Sequence, residues 1–237
     1  MDKSTAIITA ITGNWFNLNE STKGFDSYVL STRSGDEFKQ HAKEKGWELI
    51  TLDKPHTENL SDASIQAKDV KFLNFNRSKL EKYEYILYHD HKYYFNQNQI
   101  NILKENLNDK YIAAGEDSFS VFIEYFRCMF YERYKVVEHK IRNNIDLFTQ
   151  NHGWHLLDTQ ESANMSYLFW NMKKDGVEKV IKELQEEQKK YDHPECQILF
   201  NLWYYLNRDK VQLVKPHIID GGLKRKLNEK YLMGKHY

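Results

Sequence analysis

The chain has 237 residues, 34 lysines and arginines balanced by 34 aspartates and glutamates, and 14% aromatic residues. With only 10 glycines and 3 prolines, this composition excludes a disordered, collagen-like or low-complexity chain. A formal net charge of zero also lacks the basic footprint of a nucleic-acid binder.

The length suits one large domain, or at most two small ones, with a core of ordinary size. Cysteine occurs only at Cys128 and Cys196, too few for a disulfide framework, which points to a reducing compartment. No apolar run approaches the roughly 18 residues of a spanning helix, so a soluble, cytoplasmic protein without a transmembrane segment is expected.

In chain order, residues 6–11 read as a strand ended by Gly13-Asn14, and residues 27–32 as a second strand. Residues 36–45 suit a short polar helix closed by Gly46, where a left-handed cap is usual. Residues 47–52 form a third strand, 53–62 a loop by composition, and 63–80 a region able to hold a helix. Residues 83–92 (YEYILYHDHK) are the most strongly β-coded run. A helix follows at 97–107, with Ile100, Leu103 and Leu107 on one face, then a strand at 111–114. Strands alternating with helices imply βαβ units and a mainly parallel sheet.

The second half is less regular. Residues 118–147 suggest a helix interrupted near Arg127, and 154–157 and 166–170 are short β-like runs. Residues 176–190 form a charged helix with Val177, Val180, Ile181 and Leu184 as its apolar stripe; its charges read as a solvated face. A more buried helix at 194–206, a strand at 211–214 and a basic, glycine-punctuated tail at 217–237 complete the chain. Neither a repeat nor a linker divides it, so one domain is expected.

The segment that carries chemistry is 83–95, where an apolar strand runs into His89-Asp90-His91-Lys92. A carboxylate at the C-terminal end of a parallel strand sits at the sheet rim, where open α/β folds bind ligands. Carboxylate oxygen with imidazole nitrogen suits Mn²⁺, Mg²⁺ or Zn²⁺. If the strand continues, His89 and His91 share one side and Asp90 takes the other; if it ends at His89, Asp90 and His91 can converge. The plainer role for such an aspartate is a turn former or helix cap.

An ordered series then stands out: A-I-x-T-A-I-x-G at 6–13, F-D-x-Y-x-x-x-T at 25–32, G-W-E at 46–48, K-x-x-K-x-L at 68–73 and Y-x-Y-x-x-x-x-D at 83–90. Residues 127–132 (RCMFYE) and Glu195-Cys196-Gln197 continue it. The series resembles the glycosyltransferase-like family that includes the plant mucilage-synthesis glycosyltransferases and bacterial and viral polysaccharide proteins. The resemblance implies an α/β fold of the GT-A type: a Rossmann-like mixed sheet flanked by helices in a single domain. Its nucleotide-sugar-binding half would be 1–95, and its acceptor half and tail 96–237. The implied activity is transfer of a hexosyl or pentosyl group from a nucleoside-diphosphate donor, UDP favoured, to a glycan or other hydroxyl acceptor.

The leaving diphosphate must be stabilised by a metal ion or by lysines and arginines. On the resemblance, Asp90 holds Mn²⁺ or Mg²⁺, with His91, His217 and His236 as further ligands. Lys224, with Arg225, Lys226 and Lys235, is a candidate phosphate partner. Thr9, Ala10, Ile11, Thr12 and Gly13 would line the nucleotide with Thr32 and Arg33, and Lys68 and Lys71 would contact the donor from one helix face. If the reaction inverts configuration, which spacing does not decide, Glu195 is the leading general base, before Glu132 and Asp192, each equally able to be a capping or salt-bridging acid. Trp154, Trp170, Trp203, Tyr204 and Tyr205 could stack on sugars, although large aromatics mostly serve cores.

The departures from the family pattern bear on the metal. Its W-I-D-G reads Tyr88-His89-Asp90-His91 here, Lys92 stands where a D-x-D motif has its second acid, and Cys196 replaces the acid of its R-D-Q segment. His91, Lys92 or the tail histidines could compensate, or cations alone could neutralise the diphosphate. Two other functions compete: a non-catalytic nucleotide- or carbohydrate-binding module with a degenerate site, and a metal-dependent phosphohydrolase using His89, Asp90 and His91.

Overall fold

The computed structural model describes residues 2–157 and 161–219. The strands are β1 (Thr5–Ile11), β2 (Asp26–Ser31), β3 (Glu48–Thr51), β4 (Tyr85–His89), β5 (Ile112–Asp117), β6 (Ser162–Asn171) and β7 (Val211–Val214). The helices are α1 (Asp36–Glu44), α2 (Leu60–Lys71), α3 (Gln97–Glu105), α4 (Val121–Cys128), α5 (Glu132–Lys135), α6 (Glu138–His152), α7 (Val177–Tyr191), α8 (Cys196–Leu206) and α9 (Pro216–Ile219).

One seven-stranded sheet runs in the order β3-β2-β1-β4-β6-β5-β7. All neighbours pair in parallel except β6, which is antiparallel to both β4 and β5. The seven residues of β1 (TAIITAI) are all buried, as a central strand covered on both faces requires. The strand period of two then divides its side chains. Ala6, Ile8 and Ala10 join the core shared with Val70, Tyr88, Trp170 and Phe200. Ile7 and Ile11 join the opposite core with Phe38, Leu87, Ile100 and Phe169. Among the described residues no helix is long and apolar enough to cross a membrane.

The sheet is mixed and mainly parallel, as expected, with β6 as its antiparallel strand. Several boundaries differ from the sequence reading. Residues 154–157 are no strand: Trp154–Leu156 is a 3₁₀ turn behind Gly153, whose φ of +86° ends α6. The run 118–147 breaks twice, into α4, α5 and α6. α2 starts earlier than expected, where Asn59 caps the amides of Ser61 and Asp62, and it stops at Lys71, ahead of Leu73 with its φ of +56°.

One irregularity shapes the sheet rim. Between Ala114 and Gly115 the partners on β6 jump from Leu168 to Asn164. The β6 residues in between leave the β5 ladder, a bulge of the kind that re-aims groups beside functional sites. Two carbonyls of that stretch serve the end of β4: Ser166 O accepts from the Asp90 amide at 2.9 Å, and Met165 O accepts from Lys71 Nζ at 2.5 Å.

Candidate active site

β4 ends at His89, so the next residue is free of strand alternation. Asp90 turns the chain, its carbonyl accepting from the Tyr93 amide at 2.9 Å, and its side chain is 26% exposed at the rim. Oδ1 accepts from the Tyr88 hydroxyl at 3.1 Å and lies 3.3 Å from Lys71 Nζ. No described residue donates to Oδ2.

Lys71 is the last residue of α2 and only 1% exposed. Its ammonium reaches Asp90, Met165 O and, at 3.5 Å, Cys196 Sγ at the start of α8. It also sits 5.1 Å from the centre of the Tyr88 ring. An ammonium has three hydrogens to donate, and these three acceptors match them. Burial pulls the Lys71 ammonium towards neutrality, but Asp90 and Cys196 together more than offset it, and the group stays charged. Burial likewise works against the Asp90 carboxylate. Lys71, then Lys92, Lys68 and His91, outweigh that and hold it well below the usual carboxylate range. The Tyr88 phenol is pushed well above its ordinary value by burial and then by Asp90, so it remains a donor.

The residues expected to line a nucleotide instead build the floor beneath this rim. Thr9 is fully buried, and its hydroxyl donates to His89 O at 2.8 Å. The Thr12 hydroxyl donates to Ala63 O at 2.7 Å, and Ala10 and Ile11 are core residues. Gly13 has a φ of +63°, and a Cβ there would lie 2.7 Å from that of Ala63, so glycine lets the β1 turn meet α2. Arg33 spends its guanidinium on Gly13 O, with Nε at 3.1 Å and the second amino nitrogen at 2.9 Å. Thr32 is buried, its hydroxyl 3.3 Å from His56 Nδ1. Lys71, expected to face the donor, instead points inward to Asp90. Lys68, three residues earlier, is half-buried and forms no ion pair with a described residue.

His89 is a core residue. It is 2% exposed, its ring lies between those of Trp47 and Phe95, and burial lowers its affinity for a proton. The phosphohydrolase reading thereby loses a ligand. His91 remains at the rim beside Trp15, with ring centres 5.4 Å apart. The side chain of His217 and all of Lys224, Arg225, Lys226, Lys235 and His236 lie outside the described residues. Among the described residues no three His, Cys, Asp or Glu side chains cluster as metal ligands. Asp90 and His91 alone, with an ammonium already on Asp90, do not fit a divalent ion.

Glu195 caps α8: Oε1 accepts from the amides of Gln197 at 2.7 Å and Ile198 at 3.4 Å, and the residue is 4% exposed. Glu132 and Asp192 are surface acids, paired with Lys135 at 2.7 Å and Lys140 at 2.5 Å. Sequence reasoning missed Glu124, whose carboxylate accepts from Gln197 Nε2 at 3.2 Å and pairs with Arg127 at 3.0 Å. Burial, then Glu195 and Asp117, push the Glu124 carboxyl up to about 7. Cys196 joins the two clusters, because it follows Glu195 and touches Lys71.

Of the aromatics, Trp170, Trp203, Tyr204 and Tyr205 are buried, whereas Trp154 is 61% exposed and stacks on Phe122. A cavity of about 530 Å³ lies among α6, α7 and α8, away from Asp90; Phe148, Tyr191 and Trp203 are in its wall.

No model of a known protein family matches the sequence, and no curated protein matches it. Solved structures do match in fold. The glycosyltransferase GlyE of Streptococcus pneumoniae TIGR4 superposes with a TM-score of 0.50 at 13% identity, over 90% of this chain and 45% of that one. The bifunctional glycosyltransferase WbbM gives 0.53 at 11% identity, over 98% and 44%. The galactosyltransferase LgtC, solved with donor and acceptor sugar analogues, gives 0.51 at 13% identity, over 89% and 73%. The chain therefore spans under half of the GlyE and WbbM chains and about three quarters of LgtC. It has the GT-A-type fold expected from the sequence.

Proposed function

We propose that the chain transfers a sugar from a nucleoside-diphosphate donor, UDP-sugar favoured, to a hydroxyl of a carbohydrate acceptor. The observation that carries this reading is Asp90, a carboxylate held ionised at the C-terminal end of β4 in a fold shared with glycosyltransferases.

In this reading Asp90 Oδ2 accepts a hydrogen bond from a hydroxyl of the donor sugar, while Tyr88 and Lys71 fix Oδ1. The acceptor oxygen attacks the anomeric carbon, the bond from that carbon to the diphosphate oxygen breaks, and the diphosphate leaves with the electron pair. Lys68 and Lys92 neutralise the charge that develops on it. The acceptor's proton passes to a carboxylate at the start of α8, where Glu195 lies with Glu124 close by.

Asp90→Asn keeps an oxygen for Tyr88 and Lys71 to bond but leaves the buried Lys71 ammonium without its counter-charge, so stability drops by a few kcal/mol, and transfer or donor hydrolysis, measured on the fraction that remains folded, falls on the order of 100-fold. Turnover like that of the parent protein in this variant overturns the assignment. A binding module without catalysis is the second reading, favoured by the pairing of the Asp90 carboxylate with Lys71. Donor hydrolysis separates the two, since a transferase leaks sugar to water and a module does not.

A further inference from the structure

We infer that this site takes the donor's diphosphate without a divalent metal ion: Lys71 occupies the place beside Asp90 that a metal would need, and Lys68 and Lys92 face the phosphates. The inference rests on the nucleotide-sugar reading above.

A metal on Asp90 would share the carboxylate with an ammonium 3.3 Å away that cannot withdraw. Lys71 is 1% exposed, and its three hydrogens are committed to Asp90, Met165 O and Cys196 Sγ. At such separations two cations repel strongly wherever water is excluded. The rest of the rim has the same sign. Lys92 stands two residues after Asp90, and neither it nor Lys68 forms an ion pair with a described residue, although both act electrostatically on Asp90. With Lys71 these two ammonium groups give the rim a positive field, which attracts a pyrophosphate and disfavours a free dication. The chain's own construction agrees: the β6 bulge turns Met165 O towards Lys71, which keeps the ammonium hydrogen-bonded in the interior.

The test is calorimetric titration of the full chain with UDP, GDP, CDP and ADP, once in EDTA and once in Mn²⁺. One nucleotide is expected to bind with the same Kd, within about twofold, in both buffers. Its affinity should weaken as salt rises, because exposed charges are screened. Lys68→Ala and Lys92→Ala should each weaken binding about tenfold, the loss of one charge-assisted contact, without changing the melting temperature of the free protein. Binding that requires Mn²⁺ and vanishes in EDTA overturns the metal-free inference and leaves the nucleotide reading standing. Metal-free binding untouched by either lysine substitution overturns the assignment of the phosphate partners. No binding of any nucleotide in either buffer overturns the nucleotide reading itself.

Discussion

Lys71 sits inside a run, Val70-Lys71-Phe72-Leu73, that is otherwise apolar and buried. A lysine there is tolerated only when its charge is paired and all its hydrogens are used, and Asp90, Met165 and Cys196 meet both demands. The flanking apolar residues were the signal in the sequence; the partners, up to 125 positions away, were not legible. Glu124 belongs to the same scale. Its carboxyl titrates near 7 when folded and near 4.3 when unfolded, so the folded state binds the proton more tightly. The stability from this group is complete below the unfolded value and is lost as pH rises through about 7. His193 has the opposite sign. Burial lowers it to about 4, so its contribution is present above the ordinary histidine value and lost as pH falls towards 4. Glu124→Gln should therefore remove the loss between pH 5 and 8, a gain on the order of 1–3 kcal/mol at pH 8 relative to the parent protein. Melting temperature measured across pH for both proteins checks this, and parallel curves would contradict it.

At the scale of elements, α8 shows how one residue can serve two ends. Glu195 satisfies two otherwise unpaired amides of the first turn and carries negative charge at the positive end of the helix dipole. Glu195→Ala should cost about 1 kcal/mol, as loss of a cap does. Glu195→Gln keeps an accepting oxygen and should cost less than half of that. Chemical denaturation of the two variants measures the cap; donor hydrolysis by the glutamine variant measures the base, since the cap survives and the proton acceptor does not. The family resemblance of Glu195-Cys196-Gln197 did point to an acid at the start of this helix. It could not distinguish a cap from a base, because both require a carboxylate at the same position. Element boundaries were clearest where punctuation is strong, as at α7, which starts after Gly176 (φ +85°), and at β7. They failed around Trp154, where an aromatic, apolar run reads as β although Gly153 turns the chain into a 3₁₀ segment.

At the scale of the whole molecule, β6 ties the halves together. It comes from the second half yet lies between β4 and β5, and Trp170 pairs with Ile86 on one side and Ile112 on the other. One core joins Ala6, Leu30 and Tyr88 with Leu168, Leu199 and Phe200. Unfolding in urea should therefore be a single cooperative transition, with tryptophan fluorescence and far-ultraviolet circular dichroism superimposing. Two separated transitions would mean that residues 1–95 and 96–237 fold independently. The α/β class and the rim position of Asp90 were readable in the sequence, because strand and helix periods and the end of an apolar run are local properties of the chain. The direction of β6, the inward aim of Lys71, the burial of Thr9 and His89, and the meeting of α2, β4 and α8 around one carboxylate emerged only on folding. Each depends on which distant segment supplies the partner, and packing across the sheet makes that choice.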